Sequence, residues 1–220
     1  MRKRLTFFMP TWDAATAFMM VNAGHDVTAK ASDKFDALLL VGGPDVSPSL
    51  YKQPQLPCTH PSPKRELRDV GAFKMAAKGK PKVGICFGGQ LLNCLSGGRM
   101  WQDVEGHRGV IHDVKMSNGQ IIQMNSTHHQ MMIPASHGVV LGLANVATKK
   151  IAANIVRHKC DPTMWEDHEI IWYPKTASLC FQPHPEFEKM KETGCRDEFF
   201  RLIDHFIAGT LVGKELNGSI

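Results

Sequence analysis

The most reactive side chain in a setting that could use it lies in Lys82-Val83-Gly84-Ile85-Cys86-Phe87-Gly88-Gly89-Gln90-Leu91-Leu92. An apolar run leads into Gly-x-Cys-x-Gly, and a Leu-rich segment of helical character follows. This is the pattern of a nucleophile elbow, a sharp strand-to-helix turn that lifts one side chain above the end of a sheet. Such a turn leaves no room for Cβ atoms two residues either side, which accounts for Gly84 and Gly88. The helix that follows would set its positive N-terminal end beside the sulfur and favour thiolate over thiol. A buried cysteine at a glycine-rich turn has the same signature, so the stretch needs partners elsewhere in the chain.

A thiolate nucleophile needs a base, and the base needs an orienter. Among eleven histidines, the one in Gln182-Pro183-His184-Pro185-Glu186 stands out because it follows the apolar run Ala177 to Phe181. In extended backbone, residues i and i+2 point to the same side, and the flanking prolines restrict the chain to that shape. Glu186 is thereby placed to fix one ring nitrogen of His184, leaving the other for Cys86. Alone, His-x-Glu reads as a surface pair; with an elbow in Cys…His…Glu order it reads as a triad. Acyl transfer also needs oxyanion donors. The Phe87 N–H is one candidate, and Gly42-Gly43 after the run Leu38–Val41 is the other, although a plain glycine turn fits that dipeptide as well.

These residues have to be carried by a sheet. Leu5 to Met9 reads as a strand and Asp13 to Ala23 as a helix, capped by Thr11 or Asp13 and stopped by Gly24. Val27 to Ala29 and Asp36 to Val41 are the next strands, the second continuous enough to be buried on both faces. After a proline-rich loop from Pro44 to about Pro63, Lys64 to Lys78 is an amphipathic helix with Leu67, Val70, Phe73 and Met75–Ala77 on its apolar face. Lys82 to Ile85 enters the elbow. Alternation of this kind predicts an α/β fold, a mostly parallel central sheet flanked by helices. Beyond Gly97-Gly98 the texture turns to strands: Val110–Met116, Gln120–Met124, Val139–Val146, Ile151–Val156, Ile170–Tyr173 and Ser178–Phe181. Asn118-Gly119 is a hairpin turn between the first two. Glu188 to Ala208 is a helix broken near Gly194, followed by a polar tail.

Composition bounds the rest. The 220 residues fit one domain, residues 1–220, with 43% hydrophobic and 21% charged residues. Net charge is +5, without a dense Lys/Arg block, so no nucleic-acid partner is expected. Cys58, Cys86, Cys94, Cys160, Cys180 and Cys195 form no C-x-x-C pair. With no secretory signal, reduced thiols and a cytoplasmic location are expected. No segment approaches the roughly 20 apolar residues of a membrane span, so no membrane association is expected.

The motifs together resemble the class I (triad-type) glutamine amidotransferase superfamily, which has a flavodoxin-like fold. Within it they are most similar to the γ-glutamyl-γ-aminobutyrate hydrolase (peptidase C26-like) group. Supporting stretches are Gly42-Gly43-Pro44-Asp45-Val46-Ser47-Pro48-Ser49-Leu50-Tyr51, Arg68-Asp69, Gln90-Leu91-Leu92-Asn93, Gly97-Gly98, Trp101-Gln102-Asp103 and Asn125-Ser126-Thr127-His128-His129-Gln130. The resemblance implies Cys86 as nucleophile, His184 as general base and acid, Glu186 as orienter, and the Gly43 and Phe87 N–H groups as oxyanion hole. It also implies that Gln90 and the segment Asn125, Ser126, Thr127 and His128 hold the head of a γ-glutamyl substrate. Without it, Gln90 reads equally as a polar residue on the solvent face of the helix, and Ser126 and His128 as a polar loop. Phe87 stands where the group usually has a basic residue, and Pro183 where an aromatic or polar residue is common. The segment from Gly106 to Val110 is short relative to the group.

The activity so implied is hydrolysis of glutamine or a γ-glutamyl amine through a γ-glutamyl thioester. The alternative is a glutaminase subunit delivering ammonia to a separate synthetase, and a catalytically silent binding module is a third reading that the intact triad argues against. Cys94 reads as a core residue of the elbow helix. His107 and His112, or His128 and His129, are the candidate metal ligands, but no Cys/His spacing of a zinc site is present. No metal and no cofactor is therefore expected.

Overall fold

The computed structural model describes residues 3–31, 34–76, 79–152, 155–158 and 166–209, with backbone alone at 155–158. Cys160, the polar tail after 209 and the expected last turn of the second helix at 77–78 lie outside the described residues.

One long sheet carries the molecule. Its parallel part comprises β1 (Thr6–Phe8), β2 (Asp26–Thr28), β3 (Ala37–Leu40), β4 (Lys82–Ile85) and β14 (Ser178–Phe181), in the order β2-β1-β3-β4-β14. Beyond β14 the sheet continues antiparallel through β13 (Asp167–Tyr173), β10 (Val139–Ala144), β7 (Arg108–Met116) and β8 (Ile121–Thr127). Two short strands, β5 (Arg99–Trp101) and β9 (Met131–Ile133), pair with each other, and β9 with β13. A small separate sheet holds β6 (Asp103–Glu105), β11 (Lys149–Ala152) and β12 (Ile155–His158). The helices are α1 (Ala14–Asn22), α2 (Pro63–Met75), α3 (Phe87–Leu95), α4 (Lys189–Glu192) and α5 (Cys195–Leu202), the last running on into a π-helical turn, Ile203–Ala208. This is a mixed α/β fold with a parallel core flanked by helices, as the alternation of elements implies.

Both faces of the parallel core are buried. On β3, Leu39 packs into a core with Phe7, Val83, Phe181 and Phe199, while Leu38 and Leu40 face a second core with Phe87, Leu91 and Leu92. That two-sided burial is why the strand reads as an uninterrupted apolar run. At the start of α1, Asp13 accepts a hydrogen bond from the Thr16 N–H at 2.7 Å, an N-cap that satisfies one orphan donor of the first turn.

Two local expectations need correction, and three short strands were not foreseen. The run Ile151–Val156 is not one strand: β11 and β12 fold back on each other with Ile151 opposite Val156. Helix α2 does not bury Leu67, which is 76% exposed; Val70, Phe73 and Ala76 pack inward as expected, and Asp69 joins Ala72 on that side because it binds Arg65 at 2.8 Å beside the loop after β3. Strands β5, β6 and β9, three residues each, escape any periodicity argument.

The closest approach in the fold is where α3 crosses the sheet. A Cβ on Gly84 would lie 2.3 Å from the Gly88 carbonyl carbon, and one on Gly88 would lie 2.2 Å from the Leu40 oxygen. Gly88→Ala is therefore expected to cost about 3 kcal/mol or more, or to yield insoluble protein. Gly71→Ala, with nothing within 4 Å of the new methyl on α2, should be neutral or stabilising by up to about 1 kcal/mol. Denaturant unfolding of the two variants checks the contrast.

Candidate active site

Three adjacent parallel strands end at one place. Gly42-Gly43 follows β3, Cys86 follows β4 and Gln182 to Glu186 follows β14, so the carboxyl edge of the sheet collects all the residues singled out as catalytic. Cys86 sits between β4 and α3 with φ 49° and ψ −112°, a backbone conformation that a side chain rarely adopts. Its N–H is held by the Phe181 carbonyl of β14 at 2.8 Å and its carbonyl accepts from the Gln90 N–H at 2.9 Å, so both neighbours fix the turn. Phe87 begins the helix, where an N–H has no intrahelical acceptor.

His184 lies over this turn. Its Nδ1 is 2.6 Å from Glu186 Oε1, and it lines the same cavity as Cys86. Burial opposes a charge on the imidazole, but Cys86 and Glu186 outweigh it and push its pKa up to about 10. Phe187 stacks on the ring with centroids 4.9 Å apart. The segment is held from both sides. Asn125 on β8 accepts from the His184 N–H at 2.8 Å and donates to its carbonyl at 3.2 Å. Arg196 on α5 donates to the carbonyls of Pro185, Glu186 and Phe187 at 2.8, 3.1 and 3.0 Å. Arg196 lies outside any motif in the chain, and only the fold reveals it.

A cavity of about 130 Å³ opens over the thiol, lined by Gly43, Pro44, Asp45, Cys86, Gln90, Thr127, His128, His129, Gln130 and His184. Of the residues expected to hold a substrate head, Gln90, Thr127 and His128 line it; Asn125 and Ser126 are not among its lining residues. Asn125 is engaged with the His184 backbone, and the Ser126 hydroxyl donates to the His107 carbonyl at 2.5 Å. Gln90 Nε2 donates to the Gln130 carbonyl at 2.9 Å, and Gln182 Nε2 lies 3.6 Å from Cys86 Sγ. Gln130 uses its Oε1 to accept from the Val46 N–H at 2.8 Å, and its buried Nε2 has no hydrogen-bond partner among the described residues. Gln130 belongs to the same polar run as Ser126, but strand register rather than residue type decides which of them reaches the cavity.

At the mouth, His129 bridges two carboxylates, Asp45 at 2.7 Å and Asp103 at 3.1 Å. The hydrogen bond to Asp45 outweighs burial and raises the His129 pKa. Arg65 meets the loop after β3 from α2: it donates to the Val41 carbonyl at 2.9 Å, and its guanidinium lies 5.0 Å above the Phe87 ring.

Behind the cavity wall lies a second buried group: His107, His112, His128, Asp167 and Glu169. Burial and the neighbouring Asp167 push the Glu169 carboxyl well above its ordinary range. Burial and His107 lower both His112 and His128. Asp167 behaves oppositely: burial opposes its charge, but His107 and Lys150 hold it below the ordinary carboxylate range.

The sheet order and the elbow at its carboxyl edge define a class I glutamine amidotransferase-like protein. The chain belongs to the Peptidase C26 family, whose model matches residues 12–170. It is 30% identical over 135 residues to Rv2859c of Mycobacterium tuberculosis, provisionally named a glutamine amidotransferase, over 52% of this chain and 44% of that protein. It is 39% identical over 77 residues to the carbamoyl phosphate synthase small chain of Thermotoga maritima, over 32% of this chain and 20% of that one. The chain thus spans less than half the length of these curated relatives. A solved structure from Thermoplasma acidophilum, provisionally named as part of a GMP synthase, shares the fold with a TM-score of 0.63 at 14% identity, each chain covered 100%. Among the described residues, no helix is long and apolar enough to cross a membrane.

Removing the Asn125 amide would strip both hydrogen bonds from the His184 backbone and leave a part-buried N–H without its partner. Asn125→Ala is expected to lower stability by about 2 kcal/mol, measured by denaturant unfolding.

Proposed function

We propose that the protein hydrolyses a γ-glutamyl amide, glutamine or a γ-glutamyl amine, through a γ-glutamyl thioester on Cys86. The observation that carries this reading is His184, hydrogen-bonded to the Glu186 carboxylate, facing the same cavity as Cys86 at the strained end of β4. An imidazolium beside a sulfur is the charge partner of a thiolate. Sγ attacks the γ-carbonyl carbon, and the oxygen takes up negative charge facing the N–H groups of Gly43 and Phe87. His184 gives its proton to the departing nitrogen as the C–N bond breaks, leaving the thioester. Water then enters; His184 takes one of its protons, hydroxide adds to the thioester carbon, and Cys86 leaves as thiolate.

A small polar cavity suits such a substrate. At about 130 Å³ it is well below the roughly 300–1,000 Å³ of drug-sized pockets, so it favours an amino-acid-sized head. Gln90 and the unpartnered Gln130 Nε2 are the neutral groups best placed to meet a zwitterionic α-carbon, with Thr127 at the rim. A second reading, a glutaminase subunit delivering ammonia to a separate synthetase, is favoured by the similarity to a carbamoyl phosphate synthase small chain.

Cys86→Ala is expected to abolish turnover of a γ-glutamyl substrate while leaving the fold intact. Acid-quenched wild type should carry the added mass of a glutamyl acyl group on the Cys86 peptide; turnover by the alanine variant would overturn the mechanism. Offering glutamine and a panel of γ-glutamyl amines separates the two readings. Fast turnover of a conjugate supports the hydrolase, and glutaminase activity only with an added synthetase supports the alternative.

The raised His184 pKa predicts a pH profile with a definite sign. The proton His184 must donate is present below about pH 10 and lost above it, so kcat/KM should fall as pH rises through about 10. Glu186→Gln removes one of the two stabilising partners and should shift that limb downward, toward the ordinary histidine value near 6.5. A limb that stays in place would show that Glu186 does not act on the imidazole.

A further inference from the structure

The buried group behind the cavity wall has a shape that catalysis at Cys86 does not call for. Glu169 on β13 is fully buried, and neither carboxylate oxygen has a hydrogen-bond partner among the described residues. Its Oε1 is faced by three imidazole nitrogens from three separate places in the chain: His107 Nδ1 at 3.5 Å, His112 Nε2 at 3.6 Å and His128 Nε2 at 3.9 Å. All three histidines are 6% exposed or less.

The outer nitrogen of each ring fixes what the inner one presents. His107 Nε2 lies 3.1 Å from Asp167, which is ion-paired with Lys150 at 2.7 Å, so this nitrogen donates. His128 Nδ1 faces the Gln130 carbonyl at 2.9 Å, and His112 Nδ1 the Asp113 carbonyl at 3.4 Å; both acceptors again require N–H. In their neutral forms the three rings therefore turn lone pairs inward. The remaining hydroxyl nearby, Ser126, lies 3.0 Å from His107 Nδ1 but donates at 2.5 Å to the His107 carbonyl. Buried lone pairs thus converge on a buried carboxyl whose two oxygens have no partner among the described residues; a single carboxyl proton could serve only one of the three rings, whereas a cation at the centre would meet all of them.

The geometry points to a buried transition-metal site formed by His107, His128 and Glu169, with His112 Nε2, 3.6 Å from Glu169, as the nearest fourth ligand, and with zinc as the ion this donor set suits best. The ligand atoms of His107, His128 and Glu169 all lie within 4.8 Å of one another. Tetrahedral bonds of about 2.0–2.1 Å set ligands about 3.3 Å apart, so these three would draw together on loading and His112, which lies outside their 4.8 Å circle, would move in to complete the shell. Three nitrogens and one oxygen fill four positions, and the outer N–H groups resting on a carboxylate and two carbonyls are the supporting hydrogen bonds such histidines require. With its ligands buried, the ion has no open position for water or substrate. Its role is to brace: it joins the residue just before β7, the middle of β7, the residue just after β8, and β13. The site also adjoins the catalytic parts. The Glu169 backbone carbonyl accepts from the Gln182 N–H at 2.8 Å, and His128 lines the catalytic cavity. His107 and His112 have an H-x4-H spacing, but no Cys pair accompanies them in the chain, so the sequence alone predicts no metal; the antiparallel register brings His128 and Glu169 to them.

Tag-free protein analysed by mass spectrometry for metals should carry about one zinc, or an equivalent transition ion, per chain. Glu169→Gln keeps the shape but replaces a ligand oxygen by an amide; it should fall below about a tenth of an equivalent and unfold at lower temperature. Cys86→Ala should retain the full complement, which excludes the catalytic thiol as the ligand. Metal-stripped wild type should regain its Tm on adding zinc, and with Co(II) should give the intense visible bands of a tetrahedral ion without a thiolate charge-transfer band. Wild type that is metal-free, and unchanged by added zinc or Co(II), overturns the site; so does Glu169→Gln binding metal as well as wild type. If Glu169→Gln does not fold, the Co(II) spectrum of wild type decides alone, and a weak octahedral spectrum counts against the site. None of these readouts depends on the amide-hydrolysis reading.

Discussion

The contact on which the rest depends is backbone against backbone. Helix α3 can follow β4 without a connecting loop only because Gly84 and Gly88 bring strand, helix and the neighbouring β3 within van der Waals range of bare main chain. That packing forces the strained turn at Cys86, and hydrogen bonds to Phe181 and Gln90 over-determine it. Once the turn is fixed, the other parts follow from sheet order. The strand on one side, β3, delivers Gly42-Gly43, and the strand on the other, β14, delivers His184 and Glu186.

The antiparallel extension has a different task. It places Asn125 against the His184 backbone, and it encloses the buried group around Glu169 that backs the cavity. In the parallel half, apolar side chains decide the packing. In the extension, buried polar contacts between β7, β8 and β13 do much of the specifying, and each needs its partner in register.

How much of this was legible in the chain follows from the range of each interaction. The elbow, the His184–Glu186 contact and the parallel strands were readable because their signals are local: a glycine spacing, an i, i+2 pair fixed by prolines, a doubly buried strand. The cap at Asp13 and the hairpin turn at Asn118-Gly119 are local in the same sense. Arg196, Gln130 and the Glu169 group were not readable, because their meaning depends on which strand lies beside which. On α2, Val70 and Phe73 pack inward as expected, but Leu67 was misplaced for a related reason. Apolar periodicity assigns the buried side by hydrophobicity, whereas this helix turns Asp69 inward to hold Arg65.

Arg65 has one more consequence. The resemblance leads one to expect a basic side chain directly after the nucleophile, and Phe87 stands there instead. Yet a guanidinium lies over the Phe87 ring, tethered to Asp69 and to the Val41 carbonyl at the entrance to Gly42-Gly43. The cation beside the elbow is therefore delivered by α2 and not by the elbow itself. Grafting a lysine onto position 87 would then set two like charges against each other, so the two positions have to be re-engineered as a pair.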